Sequence, residues 1–183
     1  MRFLRKLFAI YSYAKPMEDR PTRKSPRLKG YDYSRAGAYA ITINSYKNEH
    51  IFGRVEFGQI GNTMHLSDIG KIIEKTIQDL NERFPEFEML NYAIMPNHVH
   101  LLISKNNDNC EKNRSVSDYI CAFKSLVYNE TRKLYPKRPI WHSRSYDRII
   151  RNDDELEKYW RYIEFNVDKW EKDLFFNPPK DMA

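Results

Sequence analysis

Apolar and polar positions first alternate over residues 39–44, where Tyr39, Ile41 and Ile43 interleave with Ala40, Thr42 and Asn44. A period of two predicts a half-buried strand. Ile51 to Gln59 and Thr63 to Leu66 read as a further strand or hairpin, with Gly61-Asn62 as its turn. After Ser67, an N-cap residue, the period lengthens: Ile69, Ile73, Leu80 and Phe84 mark a helix that stops before Pro85. Phe87 to Met95 and His98 to Ser104 read as strands on either side of a Pro96-Asn97 turn, and Lys105 to Arg114 as a polar loop. A second helix runs from Ser115 to Tyr135, with Val116, Ile120, Phe123 and Val127 on one face and Pro136 as its stop. Trp141 to Arg151 leans towards β structure. A last helix begins at Asn152-Asp153, and Leu156, Trp160, Ile163, Val167 and Trp170 form its apolar stripe.

This order of elements predicts an α+β fold, an antiparallel sheet with helices packed on one face. Residues 1–30 are basic and Pro-punctuated and read as an extended arm, 31–177 as one domain and 178–183 as a tail. The 183 residues are 41% hydrophobic and 14% aromatic, which excludes disorder throughout, collagen and low-complexity repeats. No apolar run approaches the roughly 18 residues of a membrane span, so no membrane partner is expected. Two cysteines, Cys110 and Cys121, suit a reducing compartment. The apolar stretch after Lys6 is too short for a signal peptide, and the expected location is cytoplasmic, at the nucleoid.

Charge changes the picture once it is divided along the chain. Residues 1–30 hold 9 basic and 2 acidic side chains, 31–111 hold 7 and 11, 112–151 hold 10 and 3, and 152–183 hold 5 and 9. A net +6 is therefore two strongly basic blocks set against two acidic ones. Such asymmetry suits a polyanionic partner such as nucleic acid.

Two groups of residues carry candidate chemistry. On a strand, His98 and His100 point the same way and Val99, Leu101 and Ile103 the other. The two imidazoles either converge on one divalent ion, with a third ligand from elsewhere, or sit on a solvated face. On the last helix Tyr162 and Asn166 are one turn apart, so a phenol and an amide can serve one site at the edge of the packed face. A phenol can attack phosphorus; the alternative is a tyrosine flanking an amphipathic helix, among 13 tyrosines in the chain.

Four blocks together resemble the single-tyrosine transposases of the HUH endonuclease superfamily, in particular the REP-associated branch of the IS200-like transposases. They are Arg27-Leu28-Lys29-Gly30-Tyr31-Asp32-Tyr33, Met95-Pro96-Asn97-His98-Val99-His100, Trp141 with Tyr146-Asp147-Arg148-Ile149-Ile150-Arg151-Asn152, and Tyr162-Ile163-Glu164-Phe165-Asn166 with Lys169-Trp170. The resemblance spans Arg27 to Asn177. It implies a ferredoxin-like (RRM-like) sheet with the histidines on a central strand, Mg2+ or Mn2+ as cofactor, and single-stranded, often hairpin-forming DNA as partner. It also implies Tyr162 as nucleophile, His98, His100 and Asn166 as metal ligands, and a monomer or homodimer. Two positions depart from the family pattern. Asn166 is followed by Val167 rather than proline, which predicts that the helix runs on, and Trp141 is followed by His142 rather than Gln.

The implied activity is metal-dependent cleavage and strand transfer through a 5′-phosphotyrosine. DNA would be held by Lys124, Arg132, Lys133, Lys137 and Arg138, by Arg144, Arg148 and Arg151 nearer the site, and by Arg27 and Lys29 of the arm. Each of these is otherwise an ordinary surface charge. Two rivals stand beside this reading: a domesticated, non-cleaving nucleic-acid-binding protein on the same fold, and a metal-dependent small-molecule phosphoesterase indifferent to Tyr162.

Overall fold

The computed structural model describes residues 30–106 and 113–172. Arg27, Lys29, nearly all of the arm, and the tail lie outside the described residues.

Strand β1 (Gly37–Asn44) is followed by a hairpin of β2 (Gly53–Glu56) and β3 (Thr63–Leu66), then helix α1 (Asp68–Arg83). Next come β4 (Phe87–Ile94), β5 (His98–Lys105), α2 (Val116–Leu134), β6 (Tyr146–Ile150) and α3 (Asp153–Glu164). The main sheet is antiparallel in the order β4-β5-β1-β6. With α1 and α2 as the crossovers, this is the ferredoxin-like βαββαβ arrangement, with the β2–β3 hairpin inserted before α1.

Side-chain alternation divides the sheet into two cores. Tyr39, Ile41 and Ile43 of β1 and Val99, Leu101 and Ile103 of β5 pack with Ile69, Ile73, Ile77 and Leu80 of α1 and with Ile120, Phe123 and Val127 of α2. Burial of each such aliphatic side chain contributes about 1.5–3 kcal/mol. The helices start where side chains take up their first orphan amides: Ser67 Oγ accepts from Gly70 N, Ser115 and Asp118 form a reciprocal capping box, and Asn152 accepts from Glu155 N. On the other face, Ala40, Ala93, Met95, Leu102 and Ile150 form a smaller core with Ile163 of α3 and with Trp170. Helix α3 thus lies across the sheet from α1 and α2. Ile163 is its one fully buried residue, against six each in α1 and α2.

Three expected elements differ. The β2–β3 turn is the six-residue segment 57–62 rather than a tight Gly61-Asn62 turn, because the ladder ends at Glu56 and Thr63. Asn62 is engaged elsewhere: its backbone N–H donates to Asp168 Oδ1 and its amide to the carbonyls of Val167 and Asp168. Trp141 makes an isolated bridge to Ser45 and His142 N–H still bonds to Asn44 O, but the ladder resumes only at Tyr146, and between them Lys124 Nζ holds the carbonyls of His142 and Arg144 at 2.9 and 3.3 Å. Finally, α3 ends at Glu164 although no proline follows Asn166. The Asn166 N–H bonds to Ile163 O and the Trp170 N–H to Val167 O, three residues back in each case. This tightening turns Asn166 and Trp170 inward, while Trp160 is exposed and Tyr159 takes its place in the stripe. Among the described residues no helix is long and apolar enough to cross a membrane.

Gly70 lets α1 approach the backbone just before β2: a Cβ there would clash with the Phe52 carbonyl oxygen. Helix propensity alone favours alanine by about 1 kcal/mol. A clash with backbone, which cannot swing aside, opposes it. Gly70→Ala is expected to lower the unfolding free energy by about 1–3 kcal/mol in a urea titration; a gain in stability would show that the contact yields.

Candidate active site at the histidine strand

The site follows from the register of β5. His98 and His100 project to the α3 face, and the cross-strand neighbours of His100 are Thr42 and Ala93, both small. His98 and His100 are buried, with their Nε2 atoms 2.9 Å apart and ring centroids 4.5 Å apart. The structure therefore makes the pair convergent rather than merely co-facial.

Each outer ring nitrogen is held by a side chain that sequence inspection did not single out. Asn97 Nδ2 donates to Asn48 O at 3.2 Å, which turns Asn97 Oδ1 towards His98 Nδ1 at 2.8 Å. An amide oxygen only accepts, so His98 Nδ1 carries the proton and its Nε2 the lone pair. His100 Nδ1 lies 2.9 Å from Thr42 Oγ1. The consistent chain has the Thr42 hydroxyl donating to His100 Nδ1 and His100 Nε2–H donating to His98 Nε2. A hydroxyl can also accept, so His100 can move its proton to Nδ1 and present a second lone pair. Lys47 and Asn48, both at φ 56°, shape the loop that supplies the Asn48 carbonyl. The alternation that buries Tyr39, Ile41 and Ile43 was the available signal for Thr42, and adjacency to His98 was the signal for Asn97.

Burial holds both imidazoles neutral. It pushes His98 well below the usual histidine range, with His100 and His50 adding to the shift, and lowers His100 to about 4. Trp170 packs on His98 with ring centroids 5.9 Å apart and on His50 at 5.5 Å.

Tyr162 reaches the pair from α3: its Oη is 3.5 Å from His100 Nε2, and the rings meet edge to face. Asn166 is buried in the turn after α3, and its Oδ1 has no hydrogen-bond partner. Among the described residues no group of three His, Cys, Asp or Glu side chains is arranged to hold a metal ion. Two imidazoles that can both present Nε2, together with an unpartnered buried amide oxygen, fit a divalent cation.

A cleft of about 410 Å3 opens beside Tyr162 and His100, between β1 and β6 below and α3 above. Arg148 lines it and donates to Glu155 Oε1 at 3.0 Å. Arg151 adjoins it, its backbone N–H bonded to Glu155 Oε2. The other basic candidates are elsewhere. Arg132 and Lys133 are on α2, across the sheet from the histidines, and Lys133 pairs with Glu130. Lys124 is engaged by two carbonyls inside the protein, and burial lowers its ammonium. Lys137, Arg138 and Arg144 lie on the segment that follows α2, where Arg138 pairs with Glu49 and Ile140 O accepts from Tyr46 N.

The neutral, buried pair gives a defined pH response. The unfolded chain protonates its histidines near 6.5, whereas His100 in the folded protein does so only near 4. The unfolded state thus gains protons first, and stability should fall as pH drops from about 6.5 to about 4. Urea titrations across that window are expected to show the loss, with a flatter profile in His100→Gln.

The family described as IS200-like transposase matches residues 62–166, which include both histidines, Tyr162 and Asn166. An uncharacterized protein of Haemophilus influenzae is 27% identical over 171 residues, 84% of this chain and 93% of the relative. A second protein of that organism, assigned as a REP-associated tyrosine transposase, is 26% identical over 114 residues, 56% of this chain and 61% of its own. The solved structure of a REP-associated tyrosine transposase bound to a REP hairpin shares the fold, with a TM-score of 0.58 at 16% identity over 80% of this chain and 74% of that one. With more than half of its residues matched, the chain belongs to the IS200-like transposase family.

Proposed function

We propose that this chain cuts and rejoins single-stranded DNA that carries a hairpin, with Tyr162 as the nucleophile and His98, His100 and Asn166 holding Mg2+ or Mn2+. The observation that carries the reading is the approach of Tyr162 Oη to within 3.5 Å of His100 Nε2, itself 2.9 Å from His98 Nε2. A phenol next to two convergent imidazoles, in a cleft open to a phosphate, suits phosphoryl transfer to a side chain. A bound cation supplies charge stabilisation on the phosphate oxygens.

The residues of the chain do the rest. Tyr162 stands on α3, half exposed at the cleft, so a phosphate can reach its hydroxyl in line. As the phenol oxygen bonds to phosphorus it loses its proton, the bond from phosphorus to the 3′ oxygen breaks, and that oxygen takes up a proton. The strand is left with a free 3′-hydroxyl, and the 5′ phosphate is joined to Tyr162. Reversal by a 3′-hydroxyl rejoins DNA without nucleotide hydrolysis. Arg148, at the cleft, and Arg151, the next exposed basic residue beyond β6, suit the phosphates flanking the cut. Hairpin DNA as the substrate is supported by the shared fold of the relative solved on a REP hairpin.

Incubation with hairpin-tipped single-stranded DNA and Mn2+ should give a covalent protein–DNA adduct that is lost in Tyr162→Phe. An adduct that survived the substitution would move the nucleophile elsewhere. Asn97→Ala should weaken Mn2+ binding, read by calorimetry without DNA, by about 10- to 100-fold. Equal affinity would remove Asn97 from the support of His98. Arg148→Ala should lower DNA affinity and the steepness of its salt dependence. Arg132→Ala, on the far face, should change both less.

A further inference from the structure

We propose that the cleft between β6 and α3 is a subsite for one unpaired nucleobase of the DNA strand, next to the phosphate that Tyr162 attacks. The inference rests on the function proposed above and assigns a role to residues which that chemistry leaves unused.

The shape comes first. Ala40 and Thr42 form the floor, and their short side chains on the open face of β1 leave a trough between His100 on β5 and the residues of β6. The register sets Thr42 opposite both His100 and Tyr146, and Ala40 opposite Arg148. Tyr146 is thus two strands from His100, roughly 10 Å at the usual spacing of sheet strands. That is the scale of one nucleotide. The trough ends at Tyr162, so a phosphate poised there would have its neighbouring base directed along the trough.

The lining is the second argument. Tyr146 is half exposed at one wall, and Tyr159 stands at the other, with Arg148 lying 5.8 Å from its ring centroid. Aromatic faces that stand ready for a planar partner are what sequence-tolerant stacking of unpaired bases uses. Two acidic residues border the cleft: Asp147, opposite Ile41, alternates to the other face of β6 from Tyr146 and Arg148, and Glu155 already accepts from the Arg151 backbone and from Arg148, which lowers its carboxyl. Arg148 keeps donors to spare beyond that one contact, and Lys158 adds a second cation at the rim. Two cations and the exposed ring of Tyr146, with Tyr159 on the wall opposite, suit a base with its phosphate. A base in a duplex, stacked and paired on its edge, cannot enter a trough closed on one side by a sheet and on the other by a helix.

The test uses the full chain and hairpin oligonucleotides in which each nucleotide near the cut is replaced in turn by an abasic site. Binding is read by fluorescence anisotropy. One position should lose about 10-fold in affinity, and 2-aminopurine there should be quenched on binding. Tyr146→Ala should abolish the quench and bring normal and abasic strands to nearly equal affinity, whereas Tyr146→Phe should preserve both effects. Tyr159→Leu gives a second probe from the opposite wall, expected to weaken the discrimination. Equal loss at every abasic position overturns the subsite and leaves the cleavage reading standing. So does a Tyr146→Ala protein that binds all strands more weakly but keeps the quench. Failure to bind any oligonucleotide overturns both.

Discussion

The twofold repeat of β5 is the constraint on which the rest of the structure depends. This strand is buried on both faces, with Val99, Leu101 and Ile103 in the larger core and His98, His100 and Leu102 under α3. A slip of one residue against β1 or β4 would put two imidazoles among aliphatic side chains and three aliphatic side chains on the face that α3 covers. The apolar core therefore sets the register, and the register sets the site. Polar residues are then tolerated in the interior only because they bond to one another: Asn97 to His98, Thr42 to His100, and the two imidazoles together.

The second determinant is how the chain leaves α3. A helix continuing through Val167 would carry Asn166 round the helix with its neighbours. Instead the last turns tighten, Trp170 closes over His98 and His50, and Asn62 of the hairpin loop grips the carbonyls of Val167 and Asp168. The hairpin, which lies outside the main sheet, thereby acts on the geometry of the site from a hundred residues away in sequence. The Ser45–His50 loop acts from the other side through the Asn48 carbonyl.

Much of this was legible in the sequence. The helices begin at Ser67, Ser115 and Asn152 because capping chemistry is local, and the shared face of His98 and His100 follows from strand alternation alone. Less legible was whatever depends on partners distant in sequence. Gly61-Asn62 has the composition of a tight turn, yet Asn62 is drawn into contacts with Val167 and Asp168 that no local pattern encodes. Trp160 keeps the helical spacing of a core residue, but the direction in which α3 meets the sheet selects Tyr159 instead. The block 112–151 is basic as a whole; folding ties Lys124 to the carbonyls of His142 and Arg144, puts Arg132 on the far face, and leaves Arg148 at the cleft. Linear charge could locate a basic segment but not the face each cation would occupy.

Helix α3 anchors itself through Ile163 alone among fully buried positions, with the turn beyond it held by Trp170 and by hydrogen bonds from an exposed loop. Elements so lightly anchored open at far less than the cost of unfolding the whole domain. The backbone amides of α3 should therefore exchange with solvent ahead of those in β5. The tyrosine and the histidines it faces thus belong to parts of the fold anchored to different depths: a sheet buried on both faces keeps the imidazoles aligned, and a more lightly held helix presents the phenol to them.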